Sequence, residues 1–80
     1  MSGTPPITPQ VALGKALRKF RLAADLTQEQ LALESGVQRN FISLIETGQN
    51  QPTIGTIFKL AQALGIKPSK LVSEAEKLIV

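Results

Sequence analysis

The stretch that decides the fold is Thr27–Glu46, TQEQLALESGVQRNFISLIE. Its first half has the pattern of a short helix, because Thr27 is a good N-cap and Gln30, three residues later, completes a capping box. Gly36 ends this helix, since glycine readily adopts the left-handed conformation of a tight C-terminal turn. A second run of apolar residues at helical spacing follows, and it consists of Val37, Phe41, Ile42 and Ile45.

The turn between these two helices is only about three residues long, so the helices must cross steeply and in contact. A close crossing requires a small side chain, and Ala32 lies at that position. The arrangement predicts a helix-turn-helix over residues 27–47, a unit whose second helix can enter the major groove of DNA. An ordinary helical hairpin in a small bundle is the alternative interpretation.

The composition favours a small binding protein. The chain has 80 residues and contains neither cysteine nor histidine, which removes disulfides, thiolate metal sites and the commonest general base. We therefore expect one domain with no enzyme activity, no cofactor and no metal. The formal net charge of +3 is compatible with a polyanionic partner. No apolar run approaches the ~20 residues that span a bilayer, so we expect no membrane partner and a cytoplasmic, nucleoid-associated protein.

Outside the motif, the pattern predicts three more helices and a short N-terminal tail. Residues 1–7 are rich in glycine and proline and are expected to form a flexible tail, and the single domain follows over residues 8–80. The predicted helices span about 9–24, 28–34, 39–46, 54–64 and 68–78. The predicted fold class is therefore all-α, a compact five-helix bundle.

Apolar residues at helical spacing predict the buried faces of the first and fourth helices and one apolar side of the fifth. They are Leu13, Ala16, Leu17, Phe20 and Ala24 in the first helix, Ile54, Ile57, Leu60, Ala61 and Leu64 in the fourth, and Leu71, Val72, Ala75, Leu78 and Ile79 in the fifth. The phenylalanines Phe20, Phe41 and Phe58 are expected to pack in the core rather than to stack on single-stranded nucleic acid.

From Leu13 to Ile66, roughly two-thirds of the 80 residues, the chain resembles the phage-repressor and Cro type of helix-turn-helix domain. The matching residues are Arg21, Leu26-Thr27-Gln28, Gln30-Leu31-Ala32, Ser35-Gly36-Val37, Ile42-Ser43-Leu44-Ile45-Glu46, Gly48, Pro52-Thr53, Leu60-Ala61 and Ala63-Leu64-Gly65. Asp25 departs from the pattern, which usually has glycine there, so the end of the first helix is expected to be strained or differently shaped.

The resemblance implies a sequence-specific, double-stranded DNA-binding transcriptional regulator that reads the major groove with its third helix. In length and layout the chain is similar to stand-alone regulators, such as restriction–modification controller proteins and small phage repressors, that have no small-molecule effector domain. The rival interpretation is a protein-interaction module, either an antitoxin-like partner or a coactivator adaptor. A DNA-binding protein should be positive around Gln28, Gln38 and Asn50, whereas an adaptor need not be.

The resemblance also assigns the residues that would contact DNA. It places base contacts at Gln38, Arg39, Asn40, Ser43 and Leu44. Forked side chains suit this role, because arginine matches two acceptors of guanine and an amide matches adenine. Phosphate contacts are assigned to Gln28, Thr47, Gln49 and Asn50. Many relatives carry Lys or Arg in this loop, so we expect weaker non-specific binding and a shallower salt dependence here. Simple solvent exposure of these polar side chains is the alternative.

Two further contacts are expected, one inside the domain and one between copies. Arg21 lies beside a buried face, where an unpaired guanidinium would be costly, and the resemblance pairs it with Glu46.

One recognition helix reads few base pairs, which predicts a homodimer on an inverted-repeat operator. The apolar fifth helix offers the dimer interface, which would consist of Leu71, Ala75, Leu78 and Ile79. Closure of the monomer core is the alternative role of this helix.

Overall fold

The computed structural model describes residues 7–79, which form five helices and no strand. In chain order the helices are α1 (Pro9–Ala23), α2 (Gln28–Ser35), α3 (Arg39–Glu46), α4 (Ile54–Leu64) and α5 (Pro68–Ile79). The predicted all-α fold is confirmed, and each helix ends within one residue of its predicted position. The tail expected over residues 1–7 lies outside the described part of the chain except for Ile7, which is exposed and not helical.

Threonine side chains begin three of the helices. At α2 the capping box is complete, because the Gln30 amide N–H donates to Thr27 Oγ1 at 3.0 Å and the Thr27 N–H donates to Gln30 Oε1 at 2.8 Å. Thr8 and Thr53 cap α1 and α4 in the same way, through their hydroxyl oxygens. These bonds satisfy backbone N–H groups that the helix itself leaves without a partner.

The core lies between α1, which contacts both α3 and α5, and the pair formed by α2 and α4. The largest side chains that are fully buried are Leu17, Leu31, Ile42, Ile45, Leu60 and Leu71. Burying one such aliphatic side chain contributes roughly 1.5–3 kcal/mol. Every helix supplies at least one of the six, so no helix can be removed without opening the core.

A close approach of two backbones occurs where α1 crosses α3, at Gly14. A Cβ atom there would overlap the carbonyl oxygen of Ile45 and would lie 3.1 Å from that of Glu46. The close crossing predicted from the sequence is a different one, between α2 and α3, where Ala32 is partly buried and packs against the core. Gly14 was missed because a glycine adds nothing to an apolar helical period. The recognition helix is therefore seated directly on the backbone of α1.

Some expected core positions are exposed. Ile54 is 69% exposed and Phe58 is 57% exposed, so the prediction that both are buried was wrong. They lie one turn apart in α4, and the buried face of this helix is formed instead by Ile57, Leu60 and Ala61. Ala24 and Val72 are also exposed, and Leu64 is only partly buried. The apolar stripe of each helix is wider than the strip that its neighbours cover, and these residues lie at its margins.

Helix α1 ends in a turn that requires a left-handed residue, and Asp25 occupies that position with φ 60°. The Asp25 N–H donates to the Leu22 carbonyl at 3.0 Å, and the Leu26 N–H donates to the Arg21 carbonyl at 3.1 Å. This pair of bonds is the Schellman arrangement, which usually carries glycine at the left-handed residue. The expected strain at the end of α1 is therefore present at Asp25.

Replacing Asp25 with glycine should stabilise the protein. A left-handed conformation costs a residue with a Cβ about 1–2 kcal/mol, and the extra backbone entropy of glycine costs about 0.5–1 kcal/mol. We expect Asp25→Gly to raise the free energy of unfolding by about 0.5–1 kcal/mol, measured by urea denaturation. Asp25→Ala is the control and should lower it. A loss of stability in Asp25→Gly would contradict the strain argument.

Candidate nucleic-acid interface

The turn between α2 and α3 sets the orientation of α3 relative to α2. Gly36 has φ 77° and its N–H donates to the Ala32 carbonyl at 2.9 Å, which ends α2. The next N–H, of Val37, donates to Ser35 Oγ at 3.1 Å, and the Val37 side chain is buried. Helix α3 therefore begins directly after a side chain that is fixed in the core.

Helix α3 presents a sharply divided surface. Ile42 and Ile45 are completely buried. The opposite side carries the residues predicted to read bases, of which Gln38, Arg39 and Asn40 are exposed and Ser43 and Leu44 are partly buried. Positions three and four apart share one face of a helix, so the first turn and the second turn of α3 offer one continuous surface to a groove.

The N-terminus of α3 has no side-chain cap. Gln38 occupies the cap position without a capping hydrogen bond, as expected for glutamine. The Phe41 and Ile42 N–H groups both donate to the Gln38 carbonyl, so the amides available at this end are those of Arg39 and Asn40. The end of α3 that would approach DNA thus combines free backbone donors with exposed polar side chains.

Arg39 borders an open cleft between α3 and the start of α2. The same cleft is lined by Gln28, Glu29 and Asp25. The charged side chains of the lining are thus the carboxylates of Asp25 and Glu29 and the guanidiniums of Arg39 and Arg21, of which Arg21 is paired with Glu46. The lining of this cleft therefore carries both signs of charge, and the shallow salt dependence of DNA binding stays a prediction.

A buried ion pair holds α3 to α1. Arg21 Nε donates to Glu46 Oε2 at 2.6 Å and Arg21 Nη2 donates to Glu46 Oε1 at 2.9 Å, and the two side chains are 8% and 3% exposed. The third arm of the guanidinium, Nη1, donates to the Leu26 carbonyl at 2.9 Å. The hydrogen bond to Glu46 raises the pKa of Arg21. The pair predicted by resemblance is thus present, and it also fixes the turn before α2.

Gln28 belongs to this network. Its Nε2 donates to Glu46 Oε1 at 3.1 Å, so its side chain is directed at the ion pair. This geometry alters the predicted phosphate role of Gln28. A phosphate at the start of α2 would be met mainly by the backbone N–H of Gln28, where the helix dipole favours an anion.

The turn after α3 is a second Schellman arrangement, with Gly48 at φ 78°. The Gly48 N–H donates to the Ile45 carbonyl at 3.0 Å. The N–H groups of Gln49 and Asn50 both donate to the Leu44 carbonyl, at 2.8 Å and 3.2 Å. These backbone donors are occupied inside the turn, so the side chains of Gln49 and Asn50 are the groups of these residues that remain for a phosphate.

The Thr47 hydroxyl is hydrogen-bonded at the end of α3, and its predicted phosphate contact stays a prediction. Its hydroxyl donates to the Ser43 and Leu44 carbonyls at 3.0 Å and 3.2 Å, and it accepts a bond from Gln49 Nε2 at 2.9 Å. The hydroxyl proton is directed into α3. Gln49 and Asn50 are the other predicted phosphate contacts of the loop.

The structure also corrects the predicted dimer interface. Leu71 and Ala75 are 1% and 6% exposed, because they close the core of their own monomer. Leu78 and Ile79 are 39% and 44% exposed and are still available. On the same helix, Glu74 accepts a bond from Lys19 of α1 at 2.6 Å, and this contact lowers the pKa of Glu74.

Neither a metal site nor a membrane span is found in the described part of the chain. Among residues 7–79, acidic side chains do not converge in groups of three or more that could bind a metal ion. The helices of this part are too short or too polar to cross a bilayer.

The architecture and the exposed polar start of α3 define a helix-turn-helix DNA-binding protein. The helix-turn-helix family of the phage-repressor and Cro type matches residues 17–71, and the chain belongs to this family. The HTH-type transcriptional regulator y4dJ of Sinorhizobium fredii is 34% identical over 65 residues, which are 81% of this chain and 84% of the relative.

Solved structures agree with this assignment. The crystal structure of the clp gene regulator ClgR from C. glutamicum matches with a TM-score of 0.90 at 28% identity, over 96% of this chain and 99% of that chain. The restriction-modification controller protein C.AhdI from Aeromonas hydrophila matches with a TM-score of 0.76 at 42% identity, over 78% of this chain and 94% of that chain. The protein is a DNA-binding transcriptional regulator.

Removing the carboxylate of the buried pair should be costly. Glu46→Ala leaves the Arg21 guanidinium buried without its counter-ion, and we expect the free energy of unfolding to fall by roughly 3–5 kcal/mol. Urea denaturation followed by circular dichroism measures the loss. Arg21→Met combined with Glu46→Leu should recover most of it, because no charge then stays buried.

Glu74→Ala is the matched control for this prediction, since it removes an interhelical pair whose Lys19 partner is largely exposed. Its effect should be much smaller, because water and salt screen such pairs. If Glu46→Ala costs no more than Glu74→Ala, the buried pair does not hold α3.

Proposed function

We propose that the protein acts in the cytoplasm as a symmetric homodimer on an inverted-repeat operator, with one α3 in each of two successive major grooves. The main support is the division of α3 into a fully buried face and an exposed polar face. Two such helices must lie about 34 Å apart to match one turn of DNA. The mechanism requires binding alone, without a catalytic group, a cofactor or a separate effector domain.

Base reading is assigned to the exposed side of α3. Arg39 has the forked donors that match O6 and N7 of guanine, and Gln38 and Asn40 can each match adenine. Ser43 and Leu44 lie one turn further on and are less exposed, which suits contacts to base edges or thymine methyl groups deeper in the groove. Because α3 is tied to α1 by the buried pair, these side chains would enter the groove on a rigid support.

Phosphate contacts are assigned to the two ends of this surface. The backbone N–H of Gln28 lies at the start of α2, and the side chains of Gln49 and Asn50 lie in the loop after α3. All three groups are neutral, so they would position the protein on the backbone without releasing many counterions. Such contacts fix the register of α3 and leave the choice of sequence to the base contacts.

The dimer surface is assigned to the end of α5, where Leu78 and Ile79 remain exposed. Val72, one or two turns earlier, is 46% exposed and extends the same apolar surface. Exposed apolar side chains in contiguous groups commonly mark an interface between proteins. Leu71 and Ala75 lie beneath this surface and support it from the monomer core.

A protein-interaction role is the second candidate, and the mixed charge around Gln28 is the observation that favours it. A selection of bound duplexes from a random-sequence pool separates the two. Enrichment of one inverted repeat supports the operator proposal. If the wild-type protein enriches no sequence, the adaptor interpretation is favoured.

Arg39→Ala should weaken and broaden recognition. We expect a loss of ~1–3 kcal/mol in binding to the selected duplex and a relaxed preference at one base pair, measured by fluorescence anisotropy on single-base variants of the site. Arg18→Ala, which removes an exposed arginine of α1, is the matched control and should leave the base preference unchanged. Equal weakening on selected and random duplexes would show that Arg39 contacts a phosphate instead.

Charges at the end of α5 should split the dimer. The double variant Leu78→Glu and Ile79→Glu is expected to stay folded by circular dichroism, to sediment as a monomer, and to lose cooperative operator binding. Leu33→Glu is the control, because Leu33 is 80% exposed but lies on α2. The dimer proposal fails if the wild type is already a monomer at tens of micromolar and binds a two-site duplex no better than a half-site.

A second double variant tests where the interface lies. Ile54→Glu and Phe58→Glu alter the exposed apolar pair of α4 without touching α5. If this variant becomes a monomer while the α5 variant remains a dimer, the two-fold interface is on α4 and the assignment to α5 is wrong.

A further inference from the structure

The first turn of α1 contacts the turn that follows the recognition helix. Gln10 Nε2 donates to the Gly48 carbonyl at 2.7 Å. The Val11 side chain lies against the same glycine, and a Cβ on Gly48 would be only 3.0 Å from Val11 Cγ2. One turn later, Gly14 packs against the last carbonyls of α3. All three residues of α1 precede residue 17, where the match to the helix-turn-helix family begins.

The hydrogen bond to the Gly48 carbonyl restrains the backbone of the next residue. Its peptide bond to Gln49 is planar, so the hydrogen bond from Gln10 fixes the plane that sets the direction of the Gln49 backbone. At the opposite edge of the same plane, the Gln49 N–H is held by the Leu44 carbonyl at 2.8 Å. The peptide is thus held from both sides, by α1 through Gln10 and by α3 through Leu44.

We infer that Gln10 is a positioning residue for DNA binding, which holds the loop after α3 so that Gln49 and Asn50 face the phosphate backbone. The inference rests on the proposed phosphate role of this loop. Gln10 itself need not touch DNA. It acts through Gly48, and it couples the loop to the same helix that holds α3 by its ion pair.

The hydrogen bond of Gln10 is not needed to start its own helix. Thr8 already caps α1 through the Val11 N–H, and Pro9 occupies the first helical position. Gln10 is only partly buried, so an uncharged side chain of similar length should leave the core intact. Gln10→Met meets this requirement, because it keeps the length and the helix propensity and removes the amide donor.

The experiment uses the duplex that the wild-type protein selects from a random pool. Dissociation constants are measured for this duplex and for a set in which each phosphate in turn is replaced by a neutral methylphosphonate. The proteins are the wild type, Gln10→Met, the double variant Gln49→Ala and Asn50→Ala, and Gln62→Met. Gln62→Met is the matched control, because Gln62 is an exposed glutamine of α4.

In the wild type and in Gln62→Met, methylphosphonates at the loop-facing phosphates should weaken binding. Gln10→Met should bind the unmodified duplex about three- to tenfold more weakly, the value expected for loss of one hydrogen bond. For Gln10→Met, replacing those same phosphates should weaken binding little or not at all. Single base-pair changes should still weaken its binding by the same factor as in the wild type. Its thermal unfolding should show that it is fully folded at the assay temperature.

Two results would overturn the inference alone. In one, Gln10→Met binds as tightly as the wild type. In the other, it binds more weakly but every methylphosphonate penalty keeps its wild-type size, which indicates a general loss. A third result concerns the proposed function as well: if the Gln49 and Asn50 double variant leaves all penalties unchanged, the loop does not contact phosphates, and both assignments fall together.

Discussion

The guanidinium of Arg21, on α1, bonds to two other parts of the chain, and the position of α3 depends on these contacts. It starts on α1, reaches the carboxylate at the end of α3, and holds the carbonyl of Leu26 in the turn before α2. Glu46 in turn accepts a bond from Gln28 at the start of α2. The two ends of the helix-turn-helix are therefore joined through charged groups with fixed geometry, which an apolar contact would not provide.

Local signals in the sequence predict this architecture well. The capping box at Thr27 and the glycine at Gly36 are decided by residues within one turn, so both ends of α2 follow from short-range chemistry. Other features could not be predicted because they depend on what another helix covers. A side chain at Gly14 is excluded by the carbonyls of α3, Ile54 is 69% exposed although it lies on the apolar period of α4, and Leu71 is buried in the core of its own monomer.

The candidate site also combines features that the sequence predicts with features that it does not. Exposure of Gln38, Arg39 and Asn40 followed from their place opposite a buried face, and the structure agrees. The hydrogen-bond state of each polar side chain did not follow, since it depends on acceptors elsewhere in the chain. Thr47 bonds to the carbonyls of its own helix and Gln28 bonds to Glu46. Neither bond can be inferred from the spacing of apolar residues in the sequence.

The mixed charge near the start of α2 has a consequence for how the protein distributes itself among DNA sites. Because the proposed phosphate contacts are neutral and the cleft beside Gln28 is lined by both signs of charge, binding to arbitrary sequence is expected to gain little from the release of counterions. Less of the protein is then held on the vast excess of unrelated DNA, and occupancy of the correct site rests on hydrogen bonds that salt hardly weakens. We expect a regulator built in this way to change its occupancy of the correct site little when the salt concentration rises.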